Sequence, residues 1–329
     1  MLDFHPLRLE DIPTLRGFFT KNPNRICDTT LGTAFIWRDM YSTEYAIYEG
    51  SLYFKVDYPG LGETFTIPLG ENHWEHYRQI ADYCCRRQMP IAFYPVPKEE
   101  LDLLQNFFPN SAAIPIRDNF DYLYRAEDLQ YFRGKKLSGQ RNHVNKFLKT
   151  YGNWAFRTIT LEDIPRLKAF LDRYAASREK AAPSFYEDIA KTHEVLDHYE
   201  EYDFHGGMLL VDGEIAGFSL NEIIGDTMFT HIEKADRDYV GCYQMLVSQA
   251  ARPLPRAMWY SSTVRTMRAT WAFVPASFPT IPWHFWKSTP SLWWSPAPIA
   301  NNTKGTALFR PHFCGQFQGF FPKIFPVSS

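Results

Sequence analysis

Residues 159–171 read ITLEDIPRLKAFL, and residues 7–19 read LRLEDIPTLRGFF. Leu9, Glu10, Asp11, Ile12, Pro13 and Leu15 recur as Leu161, Glu162, Asp163, Ile164, Pro165 and Leu167, at an offset of 152 residues. Each copy carries the marks of a helix start. Acids sit where the first backbone N–H groups point outward, and proline falls in the first turn, where its missing N–H costs nothing. Self-similarity of this kind predicts two copies of one domain.

The segments after each copy agree with this. In the first half, YAIYE (45–49) and LYFKVD (52–57) meet at Gly50–Ser51, and ETFTIPL (63–69) is a third strand. A helix over 71–88, a strand over 90–96 and a helix over 98–108 complete the half. In the second half, helices are expected over 161–175 and 184–201. GMLLV (207–211), the turn Asp212–Gly213, EIAGFSLNEI (214–223), Gly225–Asp226, TMFTHIEKA (227–235) and a helix over 241–250 follow. Asp-Gly between apolar runs is a strong hairpin signal. The order predicts an α/β fold with mixed, mostly antiparallel sheets.

The chain has 329 residues and a net charge of −2, so no global basic footprint points to nucleic acid. Five cysteines without framework spacing predict reduced thiols and a cytoplasmic protein. No signal-peptide pattern and no run long enough to span a membrane is visible. Charge is unevenly spread. Residues 1–250 hold all 37 acids and sum to −10, whereas residues 251–329 hold no acid, eight Lys or Arg, six of nine Trp and eleven of 23 Pro. Such usage is foreign to a globular segment of that length.

Two stretches carry a family resemblance: DYLYRAEDLQYFRGKKLSGQRNHVNKFLKTY (121–151) and GEIAGFSLNEIIGDTMFTHIEKADRDYVGCYQML (213–246). Both resemble the bacterial phosphatidylglycerol lysyltransferase C-terminal domain family, over roughly residues 1–250. The resemblance implies two GNAT-type acyltransferase folds in tandem. It places a first domain at 1–118, a basic connecting helix at 119–152 and a second domain at 153–250. It also implies acyl or aminoacyl transfer from aminoacyl-tRNA or acyl-coenzyme A to an amine or hydroxyl on a lipid headgroup, peptide or small molecule, at or near the inner membrane face. Beyond residue 250 the family continues with a strand, an N-R-E-x-D-x-G-x-x-G-L-R run and K-x-S-Y-x-P. None of these stands in the chain. Codons permitted for Tyr260–Thr289 spell that pattern when read two bases on. The second domain is therefore expected to lack its last strand and helix. Residues 251–329 are expected to be an out-of-frame, largely irregular tail, and the chain as written is expected to be inactive.

Candidate chemistry falls in three places. GKKLSGQRNHVNKFLKTY (134–151) has an apolar face of Val144, Phe147, Leu148 and Tyr151 at helical spacing. Its basic side reads most simply as a solvated face. The resemblance raises Arg141, Asn142 and Lys146 as an anion site for the donor. At the junction 231–244, the GNAT fold sets a pyrophosphate on helix amides, which implicates Gly241, Tyr243 and Gln244. The plainer reading is a helix start with Gly241 as a packing residue. On the strand before it, His231 and Glu233 are expected on one face by period-two alternation, with Lys234 beside them. These three are the catalytic candidates, as proton acceptor and charge partners; the plainer reading is an ion pair. No metal site is expected. His193 and His198 are five apart, and His73 and His76 lack a third ligand. The rival to an enzyme is a non-catalytic anion- or lipid-binding protein on the same fold.

The reading-frame expectation has a direct check. The gene across codons 245–260 should carry a single-nucleotide insertion or deletion relative to relatives; an intact frame there removes it.

Overall fold

The structure, a computed structural model, describes residues 1–21, 24–58, 61–71, 73–114, 121–178, 181–255, 258–262, 288–289 and 292–294. In chain order the first elements are β1 (His5–Pro6), α1 (Ile12–Phe19), α2 (Leu31–Ile36), β2 (Glu44–Tyr48), β3 (Ser51–Tyr58), β4 (Gly62–Phe65), α3 (His73–Arg87), β5 (Ala92–Phe93), β6 (Val96–Pro97), α4 (Leu101–Phe107) and β7 (Ser111–Ala113). Then come β8 (Tyr122–Arg125), α5 (Ala126–Tyr131), α6 (Ser138–Thr150), β9 (Trp154–Thr158), α7 (Ile164–Ala176), α8 (Pro183–Asp197) and α9 (Tyr199–Tyr202). The last are β10 (His205–Val211), β11 (Glu214–Ile224), β12 (Thr227–Ala235), α10 (Cys242–Ala251), β13 (Trp259–Ser262), β14 (Ser288–Thr289) and β15 (Leu292–Trp294). This is a mixed α/β fold with two main sheets.

The chain divides into two compact units, and not at a single point. One holds Met1–Pro6, Tyr41–Pro115 and Thr289–Ser329; the other holds Leu7–Met40 and Ile116–Ser288. The first LEDIP helix, α1, thus clusters with the second unit. In the first unit the sheet runs β1-β2-β3-β4-β5-β15-β7. Its core gathers Tyr53, Phe65, Tyr77, Ile80, Phe93 and Phe108 from strands and helices. Cys84 is buried on α3.

In the second unit the sheet order is β8-β13-β12-β11-β10-β9. Asp212 and Gly213 both have positive φ (51° and 83°), which matches the right-handed twist of the β10–β11 hairpin they close. The edge of β12 that the sequence leaves open is taken by β13, paired parallel, with β8 antiparallel beyond it. The rest of the acid-free tail expected to be irregular, 263–287 and 295–329 with residues 290–291, lies outside the described residues.

One face of this sheet is covered by α5, α6 and α10. Leu209, Val211, Met228 and Ala235 pack there against Phe147, Met245 and Leu246. The other face receives α7 and α8, with Phe170 edge-on to Phe218 and Lys234 paired to Asp188.

The repeat shows why LEDIP opens a helix. In the second copy Asp163 accepts from the backbone N–H and hydroxyl of Thr160, both at 2.9 Å, and takes a bidentate pair from Arg157. Asp11 accepts the corresponding N–H of Arg8 at 2.9 Å. The Arg157 bond holds the buried Asp163 carboxyl well below the usual carboxylate range; burial works against it, and the Thr160 bonds reinforce it. A depressed carboxylate stabilises above its unfolded pKa and loses that contribution as pH falls. Asp163→Asn should therefore cost about 1–3 kcal/mol at neutral pH. The gap to wild type should narrow below about pH 4 in urea melts followed across pH.

Candidate functional site

The central strand pair holds the irregularity that builds the site. Between β11 and β12, Leu220 pairs with Ile232 but Asn221 pairs with Thr230. His231 is therefore an extra residue, a β-bulge that re-aims its side chain. Thr230 donates to Asn221 at 2.8 Å, Asn221 donates to Ser219 at 3.2 Å, and Ser219 pairs in register with Glu233. Those four share the α10 face. His231 turns to the other face and meets Glu222, Nε2 to Oε2 at 2.9 Å. The period-two expectation that puts His231 and Glu233 on one face is corrected here: one inserted residue reverses the alternation.

The imidazole is enclosed. Its ring stacks on Phe204 with centroids 5.2 Å apart, and its side chain is 2 % exposed. Its Nδ1 lies 3.5 Å from Thr33 Oγ1 and 3.7 Å from Cys27 Sγ. Gly32 N–H donates to the same Glu222 oxygen at 2.9 Å. A Cβ at Gly32 would come within 2.4 Å of Nε2, so only glycine lets the α2 backbone approach this closely. Burial, and then Asp121, pushes the Cys27 thiol well up, so the sulfur stays protonated and is no thiolate nucleophile. Asp121 in turn accepts Cys27 N–H at 2.7 Å; burial and then Asp28 push its carboxyl well up. Lys234, also on this face, pairs with Asp188 at 2.9 Å. Nearby, the turn after α2 is joined to α8 by the fork of Arg38 on Glu194, at 2.7 and 3.0 Å.

Residues 20–270 match the family described as phosphatidylglycerol lysyltransferase, C-terminal. The chain belongs to that family. A conserved protein of unknown function from Bacteroides thetaiotaomicron superposes with a TM-score of 0.76 at 22 % identity, over 90 % of this chain and all of that one. The structure titled L-PGS from Bacillus licheniformis gives 0.56 at 11 % identity, over 87 % and 93 %. FemX gives 0.54 at 10 % identity, over 89 % and 97 %. Among curated proteins, an uncharacterized protein of Mycoplasmoides gallisepticum is 28 % identical over 134 residues, 40 % of this chain and 43 % of its own length. The chain thus spans under half of that relative.

Against this phosphatidylglycerol lysyltransferase-type fold, the remaining candidates are dispersed. Glu233 is buried on the α10 side and Lys234 on the α8 side. Arg141 turns back to cap α5, donating to the carbonyls of Phe132 at 2.6 Å and Gly134 at 3.1 Å. Asn142 and Lys146 are exposed on α6, and Leu148, expected on the apolar face, is exposed as well. Gly241 has φ 81°, and a Cβ there would lie 2.3 Å from the His143 carbonyl oxygen, so the start of α10 packs against the α6 backbone. Tyr243 and Gln244 are buried, and the Tyr243 hydroxyl lies 3.3 Å from that of Tyr174. Among the described residues no helix is long and apolar enough to cross a membrane.

The sequence reading missed Glu222, Gly32, Thr33, Cys27 and Asp188. Glu222 alone had a signal: an acid near the end of a largely apolar strand, nine residues from a histidine across a tight turn. The others come from distant segments. Gly32→Ala should push the imidazole off Glu222 and cost about 1–3 kcal/mol by overpacking. Denaturant melts and the His231 ring NMR signals would register both effects.

Proposed function

We propose that this chain carries the machinery of an acyl- or aminoacyltransferase. In this reading an ester or thioester donor, aminoacyl-tRNA or acyl-coenzyme A, passes its acyl group to an amine or hydroxyl. The acceptor classes are a lipid headgroup, a peptide or a small molecule. The observation that carries the reading is the His231–Glu222 pair on the bulged strand, an imidazole backed by a carboxylate in the central sheet of a fold whose family transfers acyl groups. His231 takes the proton of the attacking acceptor as its bond to the acyl carbon forms. The donor's acyl–oxygen or acyl–sulfur bond then breaks, and the proton passes to the leaving group. Glu222 stabilises the imidazolium in between, and the buried Lys234–Asp188 pair fixes β12 to α8. Glu233, on the opposite face, serves as a charge partner near Tyr243. Arg141, Asn142 and Lys146, with Gly241, Tyr243 and Gln244 at the head of α10, form the donor's anion site in this proposal.

We further propose that the frame leaves the family's near Ala250–Pro255, so that the chain as written lacks the acid- and glycine-containing run of its relatives. The reading of a non-catalytic binding protein rests on a separate feature. From Leu129 to Leu161 the chain holds no acid and seven Lys or Arg, and Lys135, Lys136, Lys146 and Lys149 are exposed there.

Transfer assays with charged tRNA and acyl-coenzyme A should separate these readings. A frame-restored protein should turn over and the written chain should not. His231→Ala in the restored protein should lower kcat by about 10²–10⁴-fold. Full activity in the written chain removes the frame proposal. No transfer by either, with binding to anionic vesicles, favours the binding protein.

A further inference from the structure

We propose that Glu222 is a positioning residue. It holds His231 as the tautomer with its proton on Nε2, and so places the basic lone pair at Nδ1, towards Thr33 and Cys27. This rests on the reading of His231 as the proton acceptor. The argument is one of donors and acceptors. An ionised carboxylate only accepts, so the nitrogen 2.9 Å from Glu222 Oε2 must carry the hydrogen. That oxygen also accepts Gly32 N–H at 2.9 Å, which fixes the carboxylate in place independently of the ring. The opposite nitrogen faces two groups that can donate, the Thr33 hydroxyl at 3.5 Å and the Cys27 thiol at 3.7 Å. Burial keeps that thiol protonated. Phe204 stacked on the ring blocks rotation about the last side-chain bond.

The ring is thus wired in one direction. Among the described residues the ring's polar partners are Glu222, Cys27 and Thr33, with Asp121 behind Cys27 through its backbone N–H. Cys27 is fully enclosed, whereas Thr33 is only partly buried. An acceptor amine or hydroxyl therefore reaches Nδ1 from the Thr33 side. On attack its proton moves to Nδ1, and the imidazolium formed has both N–H groups matched, one by Glu222 and one by Thr33 Oγ1. With the tautomer reversed, the nitrogen facing the acceptor would present a hydrogen instead of a lone pair, and proton removal would fail.

The test is the tautomer itself. In the full chain labelled with ¹⁵N-histidine, long-range ¹H–¹⁵N spectra should show His231, assigned by its loss in His231→Gln, as a single Nε2–H form at about pH 7–8. Glu222→Ala should give a mixture of the two tautomers. Glu222→Gln should restore the single form, because its carbonyl oxygen can accept as Oε2 does. In an active protein Glu222→Ala should lower kcat by about 10²-fold or more while KM stays within twofold. An Nδ1–H form in the wild type, or an unchanged single Nε2–H form in Glu222→Ala, overturns the proposal. The wild-type spectrum decides even if Glu222→Ala does not fold. Transfer unaffected by His231→Ala would instead remove the base assignment, a separate outcome from the tautomer result.

Discussion

The second unit depends on one extra residue in one strand. Because β12 carries a bulge at His231, the side chains before and after it fall out of step. Thr230 and Glu233 face α10, whereas on the other face His231 meets α2 and Lys234 meets α8. Without the bulge, strict alternation would put His231 and Glu233 on one face and turn Ala235 away from the α10 packing. A buried imidazole is tolerated only with its hydrogen bonds made. Here Glu222 supplies one of them from the neighbouring strand.

The bond then organises a second layer. Glu222 is held by Gly32 N–H, and Gly32 can approach because it has no side chain. That draws the Leu7–Met40 segment onto the sheet and brings Cys27, Thr33 and Arg38 with it. Arg38 reaches Glu194 on α8, and Lys191 reaches Asp39, so two segments far apart in the chain are tied by charge-assisted bonds. Such networks are strong when each member is satisfied and costly when one is removed. The site is thus also part of the cross-chain packing.

Much of the fold was legible because it is local. The LEDIP copies announce their helices through acids and a first-turn proline. The apolar run after Gly225–Asp226 predicts a strand over 227–235, and β12 spans Thr227–Ala235. Short elements were less legible. α2 has six residues and no sustained periodicity, and β8, β9 and β13 depend on partners elsewhere in the chain. At the site, His231 and Lys234 could be singled out as chemistry-bearing residues on a central strand. Their partners could not, since Glu222 is found only through strand register and Asp188 only through helix docking.

The sequence by itself determined the recurrence of the LEDIP motif, the α/β class and the order of the meander in the second half, because these rest on spacing along the chain, and its resemblance pointed to the family. It also determined that the acid-free segment after residue 250 is unlike what precedes it. Only the tertiary structure decided which face each residue of β12 presents, since a bulge is a relation between two strands and leaves no period of its own in either. The same holds for Gly32, Thr33 and Cys27. They lie about 200 residues from His231 in the chain, and only folding brings their backbone and hydroxyl groups against its ring.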